Sequence, residues 1–330
     1  MAILATEKVL TLDYWKPAYK LRVGDYVFDR SGKLVKIKLI QEYRAEDCFE
    51  VMFDDALCVG GDSNLGFLVE TRKYRQRLCN YKGINRFRRP LAHTKIKDVI
   101  DQPLLTEQNR KLFSVPTTQP LVLPHQDLPI PPFVMGFWFF SKKSRNLYTA
   151  SAKNFDFVKE KLRDYGYKTV HRCLHRTGKR EFYITPSINS HLAPNIPKQI
   201  PSNYLLASAE QRIELLSGVI MAKHSQYNEA TDTFRVTSRH LPTVTQIQNL
   251  AESLGCKTKI HHNEHLKNYT LSFKTKHVLV PYQRSKPVKV HHARRYVTNI
   301  SKIPAQSCIH IETTGQDNTI LVGEGFISTC

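Results

Sequence analysis

Acidic residues are scarce in this chain. There are 29 Asp and Glu against 49 Lys and Arg, a net charge of +20 over 330 residues. A deficit of that size makes polyanions the expected partners, nucleic acid first among them. Long apolar runs are also missing. No stretch approaches the roughly 18 residues that span a bilayer. The opening Met1-Ala-Ile-Leu-Ala5 lacks the basic region and apolar core of a secretory signal. A cytoplasmic location (the host cytoplasm, if the source is a phage), a monomer and no membrane partner are therefore expected. The seven cysteines form no CxxC pair. That argues against a disulfide scaffold or a structural zinc site and for a reducing compartment. No GxGxxG, P-loop or GxSxG pattern occurs.

The positive charge is clustered. Arg72, Lys73, Arg75, Arg77, Lys82, Arg86, Arg88 and Arg89 fall within one stretch that holds no acid and is interleaved with Tyr74, Tyr81 and Phe87. Such a stretch can follow phosphates while its aromatics pack on sugar or base, so double-stranded DNA is the expected partner. A second basic run extends from Arg284 to Arg295. His261, His262 and His265, and separately His171 with Cys173 and His175, read as surface residues rather than metal ligands.

The pattern divides the chain. Residues 1–71 read as short strands separated by turn formers such as Arg30-Ser-Gly-Lys33. Residues 72–100 form the basic insertion, with a helix expected from Thr94. Residues 101–132 form a proline-rich connector, with six prolines between Pro116 and Pro132. Residues 133–277 alternate helices and strands in two αββα-like copies, and 278–330 return to strands. The economical plan is an all-β unit interrupted by an α+β unit.

Three segments carry a family likeness: Ile3 to Pro17 with Val23-Gly-Asp-Tyr-Val-Phe28, Leu57 to Thr71, and Cys308 to Cys330. In order and at both chain ends, they resemble the blocks of an intein, closest to those of phage large-terminase genes. The resemblance implies a mainly β, horseshoe-like Hint splicing domain interrupted by a two-repeat LAGLIDADG homing-endonuclease domain. It also implies a flanking host protein. By the match, the usual first nucleophile is Ala2, which has no nucleophilic group. Either Ala2 replaces a Cys, or the chain resembles class 3 inteins, which use an internal Cys within a Trp–Cys–Thr signature. Phe67, Cys308 and Thr329 occupy those three positions, and two of the three match, so the second route is preferred. Cys308 is then the candidate nucleophile.

Other expected groups are missing. The His of the second block falls on Ser63 or Asn64, a later His falls on Asn318, and the penultimate His falls on Cys330 with no Asn after it. Splicing is expected to be slow or absent. The LAGLIDADG helices match Val134 to Lys142 and Leu216 to His224, placing Ser141 and Lys223 where active relatives carry metal-binding acids. No cofactor is therefore expected, the divalent metal being lost with its ligands. The alternative is a free-standing, intein-derived DNA-binding protein with neither activity.

Overall fold

The computed structural model describes residues 2–75, 91–144, 147–175, 179–188, 199–222, 224–283, 294–323 and 325–330. The chain forms two units, one from residues 1–121 with 289–330 and one from 122–288.

The first unit is built from strands of both chain ends. They are β1 (Ala2–Leu4), β2 (Lys8–Thr11), β3 (Tyr14–Pro17), β4 (Tyr26–Phe28), β5 (Leu34–Ala45), β6 (Cys48–Phe53), β7 (Cys58–Asp62), β8 (Gly66–Thr71), β9 (Ala92–Lys95) and β10 (Phe113–Pro116). The second unit runs α1 (Pro132–Ser141), β11 (Lys142–Ser144), β12 (Leu147–Ser151), α2 (Ala152–Asp164), β13 (Lys168–His175) and β14 (Lys179–Thr185). A short α3 (Ser202–Leu205) follows. The order then repeats as α4 (Ala209–Met221), β15 (Ser225–Asn228), β16 (Thr233–Ser238), α5 (Leu241–Glu252), β17 (Thr258–Asn263) and β18 (Asn268–Phe273). The chain returns to the first unit with β19 (Arg294–Ile303), β20 (Gln306–Thr313), β21 (Ile320–Val322) and β22 (Ile327–Thr329).

In the first unit the strands follow the order β22-β21-β2-β4-β5-β20-β1-β7-β6-β19-β10-β8-β9, with β3 beside β2. The sheet curls until its ends meet. Cys330, just past β22, donates its N–H to Gly66 O in β8 and accepts the Gly66 N–H in return. Alternation supplies the core: in β5, Val35 and Ile37 point inward while Lys36 and Lys38 face solvent. Ile3, Val9, Val51, Phe53, Phe67, Ile309 and Ile311 pack with them.

The helix expected from Thr94 is instead the strand β9, followed by a 3-10 turn at Ile96–Asp98. Pairing with β8 overrides the local preference there. The proline-rich stretch is shared. Its first part carries β10, which pairs with both β8 and β19, and the two units divide only after Leu121.

The second unit has its own core, in which Phe137, Tyr148, Phe155, Phe182, Leu216, Val219, Phe234 and Val244 are buried. Each copy is αββαββ rather than αββα, because two further strands follow its second helix. The copies form four-stranded antiparallel sheets in the orders β11-β12-β14-β13 and β15-β16-β18-β17. Helices α1 and α4 cross where both lack a side chain. A Cβ on Gly136 would lie 2.0 Å from Leu215 O, and one on Gly218 would lie 2.1 Å from Phe133 O. The two glycines of the helical motifs therefore permit backbone contact between the helices.

No described helix is long and apolar enough to cross a membrane.

Candidate functional site

Strand β1 lies between β20 and β7. Ala2 pairs with His310, Ile3 with Ile309 and Gly61, and Leu4 with Cys308. Because side chains alternate, Ile3 and Ile309 enter the main core while Leu4 and Cys308 share the other face. Gly60 and Gly61 let β1 approach. A Cβ on Gly61 would lie 2.3 Å from Ala2 O, and one on Gly60 would lie 2.4 Å from Leu4 Cδ1.

On that face the closure of the sheet leaves a cavity of about 280 Å³, lined by Ala2, Tyr43, Asn64, His93, His310 and Cys330 among others. Two of its polar residues are held by Asp62. The Tyr43 hydroxyl donates to Asp62 Oδ2 at 2.6 Å. Asn64 donates its backbone N–H to Oδ1 at 2.8 Å and its side-chain amide to Oδ2 at 3.2 Å. Burial, followed by the Asp62 carboxylate, pushes the Tyr43 phenol above its usual range. His93 comes from β9, and its Nδ1 lies 3.2 Å from Cys330 Sγ. His310 Nε2 lies 3.2 Å from Glu312 Oε1.

The residues singled out from the sequence separate into those at the cavity and those away from it. Ala2 and Cys330 meet there from opposite ends of the chain. Cys308 sits two residues from His310 along β20, fully buried among Leu4, Ala45 and Cys48, with its Sγ 3.9 Å from Cys48 Sγ. Burial, followed by Cys48, pushes its thiol up to about 12. Thr329 is buried in β22 opposite Ile320. Phe67 faces the apolar core, edge-on to Phe53 with centroids 5.8 Å apart, while its neighbour Gly66 reaches the cavity. Ser63 accepts the Lys97 N–H through its carbonyl, and it is Asn64 that lines the cavity.

Sequence reasoning passed over Tyr43, Asp62 and His93. An Asx turn at Asp62-Ser-Asn64 was the available signal for Asp62. His93 carried none, because only the β8–β9 pairing brings it in.

The basic residues also divide. Arg75 is no surface residue: it is buried, and its guanidinium donates to the carbonyls of Glu70, Leu112 and Lys111 and to Ser114 Oγ. Arg294 and Arg295, from the second basic run, are buried in ion pairs with Glu70 and Asp55. Such side chains are spent on the fold and are unavailable to phosphate. Arg72 and Lys73 are described and partly or fully exposed. Arg77, Lys82, Arg86, Arg88 and Arg89 lie outside the described residues, as do residues 284–293 and Lys223. Ser141 ends α1. Among the described residues no group of three or more His, Cys, Asp or Glu is placed to hold a metal ion. His262 stacks on Tyr269, with centroids 4.5 Å apart.

No protein-family model matches the chain. It is 25% identical over 302 residues to the replicative DNA helicase DnaB of Mycobacterium intracellulare, covering 87% of this chain and 49% of that protein. The chain thus spans about half the length of the curated relative it matches. Among solved structures it is similar to the Msm DnaB1 intein splicing domain bound with zinc, at 17% identity and TM-score 0.20 over 21% of this chain and 55% of that one. The gp41-1 intein is similar at 12% identity and TM-score 0.23, over 34% and 74% of the two chains. A mesophilic variant of the homing endonuclease I-DmoI is similar at 12% identity and TM-score 0.31, over 45% and 89%. Strands from both chain ends close one curled sheet, and two glycine-bearing helices cross within an inserted αββαββ pair. The chain folds as its motifs imply: a mainly β unit built from both ends of the sequence, interrupted by an α+β unit of two repeats.

Proposed function

We propose that the chain is an intein-type protein-splicing element whose inserted domain binds double-stranded DNA without cutting it. One observation carries the splicing half of this reading: Ala2 and Cys330, from opposite ends of the chain, line the same cavity with Tyr43, Asn64, His93 and His310. Joining two flanking segments requires that their attachment points meet beside groups able to move protons. The acyl group of residue 1 passes to a thiol of the β unit, which the family resemblance assigns to Cys308. The relative is a replicative helicase, which supports a DNA-handling host protein.

A reporter fused ahead of Met1 of the full chain is expected to be released by dithiothreitol or hydroxylamine, reagents that cleave thioesters. A fusion that stays intact under both, while folded by circular dichroism, would overturn the splicing reading.

The DNA half rests on charge and topology. Strands β15 to β18 carry no Asp or Glu. Arg235 pairs with Ser272, and Ser272 with Lys259, so both cations share one face of the sheet, and both are exposed. In the other copy, β11, β13 and β14 carry Lys142, Lys143, Lys168, Arg172, Lys179 and Arg180. Cutting is expected to be absent because Ser141 and Lys223 supply no metal-binding carboxylate.

Duplex DNA should bind with a steep salt dependence. Replacing Arg235 and Lys259 together by Ala should reduce the slope of log affinity against log salt by about 2. An unchanged slope would exclude this sheet as the contact surface, and strand scission in Mg²⁺ would overturn the loss of cutting.

A further inference from the structure

Two thiols lie near the junction, in different surroundings. Cys308 is fully buried and its sulfur faces Cys48 Sγ at 3.9 Å. Cys330 lines the cavity beside Ala2, with the His93 imidazole 3.2 Å from its sulfur. A nucleophile within hydrogen-bond reach of a base is the arrangement that activates a thiol for acyl transfer. We infer that Cys330, with His93 as its base, is the thiol that accepts the acyl group at the junction. This inference rests on the splicing reading above and changes its nucleophile.

The step balances. His93 Nδ1 takes the Cys330 proton as Sγ adds to the carbonyl carbon of residue 1. The C–N bond to Ala2 then breaks, and the proton on His93 passes to the departing Ala2 nitrogen. The products are a thioester between residue 1 and Cys330 and a free Ala2 amino group. No oxidant or cofactor enters.

The base is required because burial pushes the Cys330 thiol up to about 11, leaving it neutral at pH 7. The cavity also offers a donor for the tetrahedral oxyanion. Asn64 Nδ2 gives one hydrogen to Asp62 and carries a second. Tyr43 donates to the same carboxylate oxygen and so helps to hold it in place. Within this reading Cys330 and His93 are catalytic residues, and Asp62 and Tyr43 are positioning residues.

The reporter fusion on the full chain tests the assignment. Release should be lost in Cys330→Ala and fall about 100-fold in His93→Gln. Iodoacetamide labelling of the unfused chain, read by peptide mass spectrometry, supplies a measurement independent of release. Cys330 should label faster than the exposed Cys58, and His93→Gln should remove that advantage. Release that survives Cys330→Ala but is lost in Cys308→Ala overturns the inference and leaves the splicing reading standing. No release from any of the chains overturns both. Equal labelling of Cys330 in the unaltered and His93→Gln chains overturns the role of His93 as base.

Discussion

Replacing Gly136 by Val is expected to abolish the folded state of residues 122–288 while the β-rich unit still unfolds as a separate transition. The atoms facing that glycine are backbone: Leu215 O at 2.0 Å and Val219 N at 3.1 Å from an added Cβ. A flexible side chain could swing aside, but a helix backbone moves only if the whole helix shifts. Overpacking in a core typically costs 1–3 kcal/mol. At a crossing between two helix backbones about 3 kcal/mol or more is expected, and Gly218→Ala should behave alike because Phe133 O lies 2.1 Å away. A domain whose total stability is on the order of 5–15 kcal/mol tolerates little of this. Gly166→Ala is the control. Nothing lies within 4 Å of its added Cβ, so only its φ of +83° is strained, a cost of about 1 kcal/mol. The two tryptophans report separately, with Trp138 in the second unit and Trp15 in the first. Urea titration of a Trp15→Phe background isolates Trp138. A Gly136→Val chain whose Trp138 transition matched the parent would refute the close crossing.

Removing the guanidinium of Arg295 should be nearly as damaging to the other unit. Its side chain is 2% exposed and that of Asp55 1%, with Arg295 Nε 2.8 Å from Asp55 Oδ2. Arg295→Met leaves a buried carboxylate without its counter-charge, a loss of about 3–5 kcal/mol. The double change Arg295→Met with Asp55→Leu should recover most of that loss, because the desolvation penalty disappears with both charges. Denaturation followed by Trp15 in a Trp138→Phe background measures both. If the double variant were no more stable than the single one, the pair would not be the cause. Arg294 makes a similar buried pair with Glu70 in the same strand, so the two arginines hold β19 against β8 and the β6–β7 turn.

These arginines show where composition misleads. Arg75, Arg294 and Arg295 fall in the two most basic stretches, and each is buried in the fold rather than turned to solvent. Exposed Arg72 and Lys73 are the same residue types a few positions away. Linear charge density is identical for a solvated cation and a buried one, and only long-range pairing tells them apart. The helix expected at Thr94 failed for a related reason, since β8 supplies hydrogen bonds that a local pattern does not record. The expected strands of β5, β6 and β20 were legible as β-branched or aromatic runs between turn formers, and the helices α2, α4 and α5 as longer runs with apolar residues at helical spacing.

By itself, the sequence determined the interrupted β and α+β plan and the two glycine-bearing helices, and it singled out Ala2, Cys308 and Cys330 as candidates. Those features are written in local periodicity and in the order of short motifs. Only the tertiary structure decided which groups meet. Closure of the sheet places Cys330 against Gly66, the β8–β9 pairing carries His93 to its sulfur, and the turn at Asp62 gathers Tyr43 and Asn64. Cys330, an isolated thiol in the local sequence, has an imidazole beside it in three dimensions. The physical reason is that contact between distant strands depends on register and sheet curvature, which no single segment encodes.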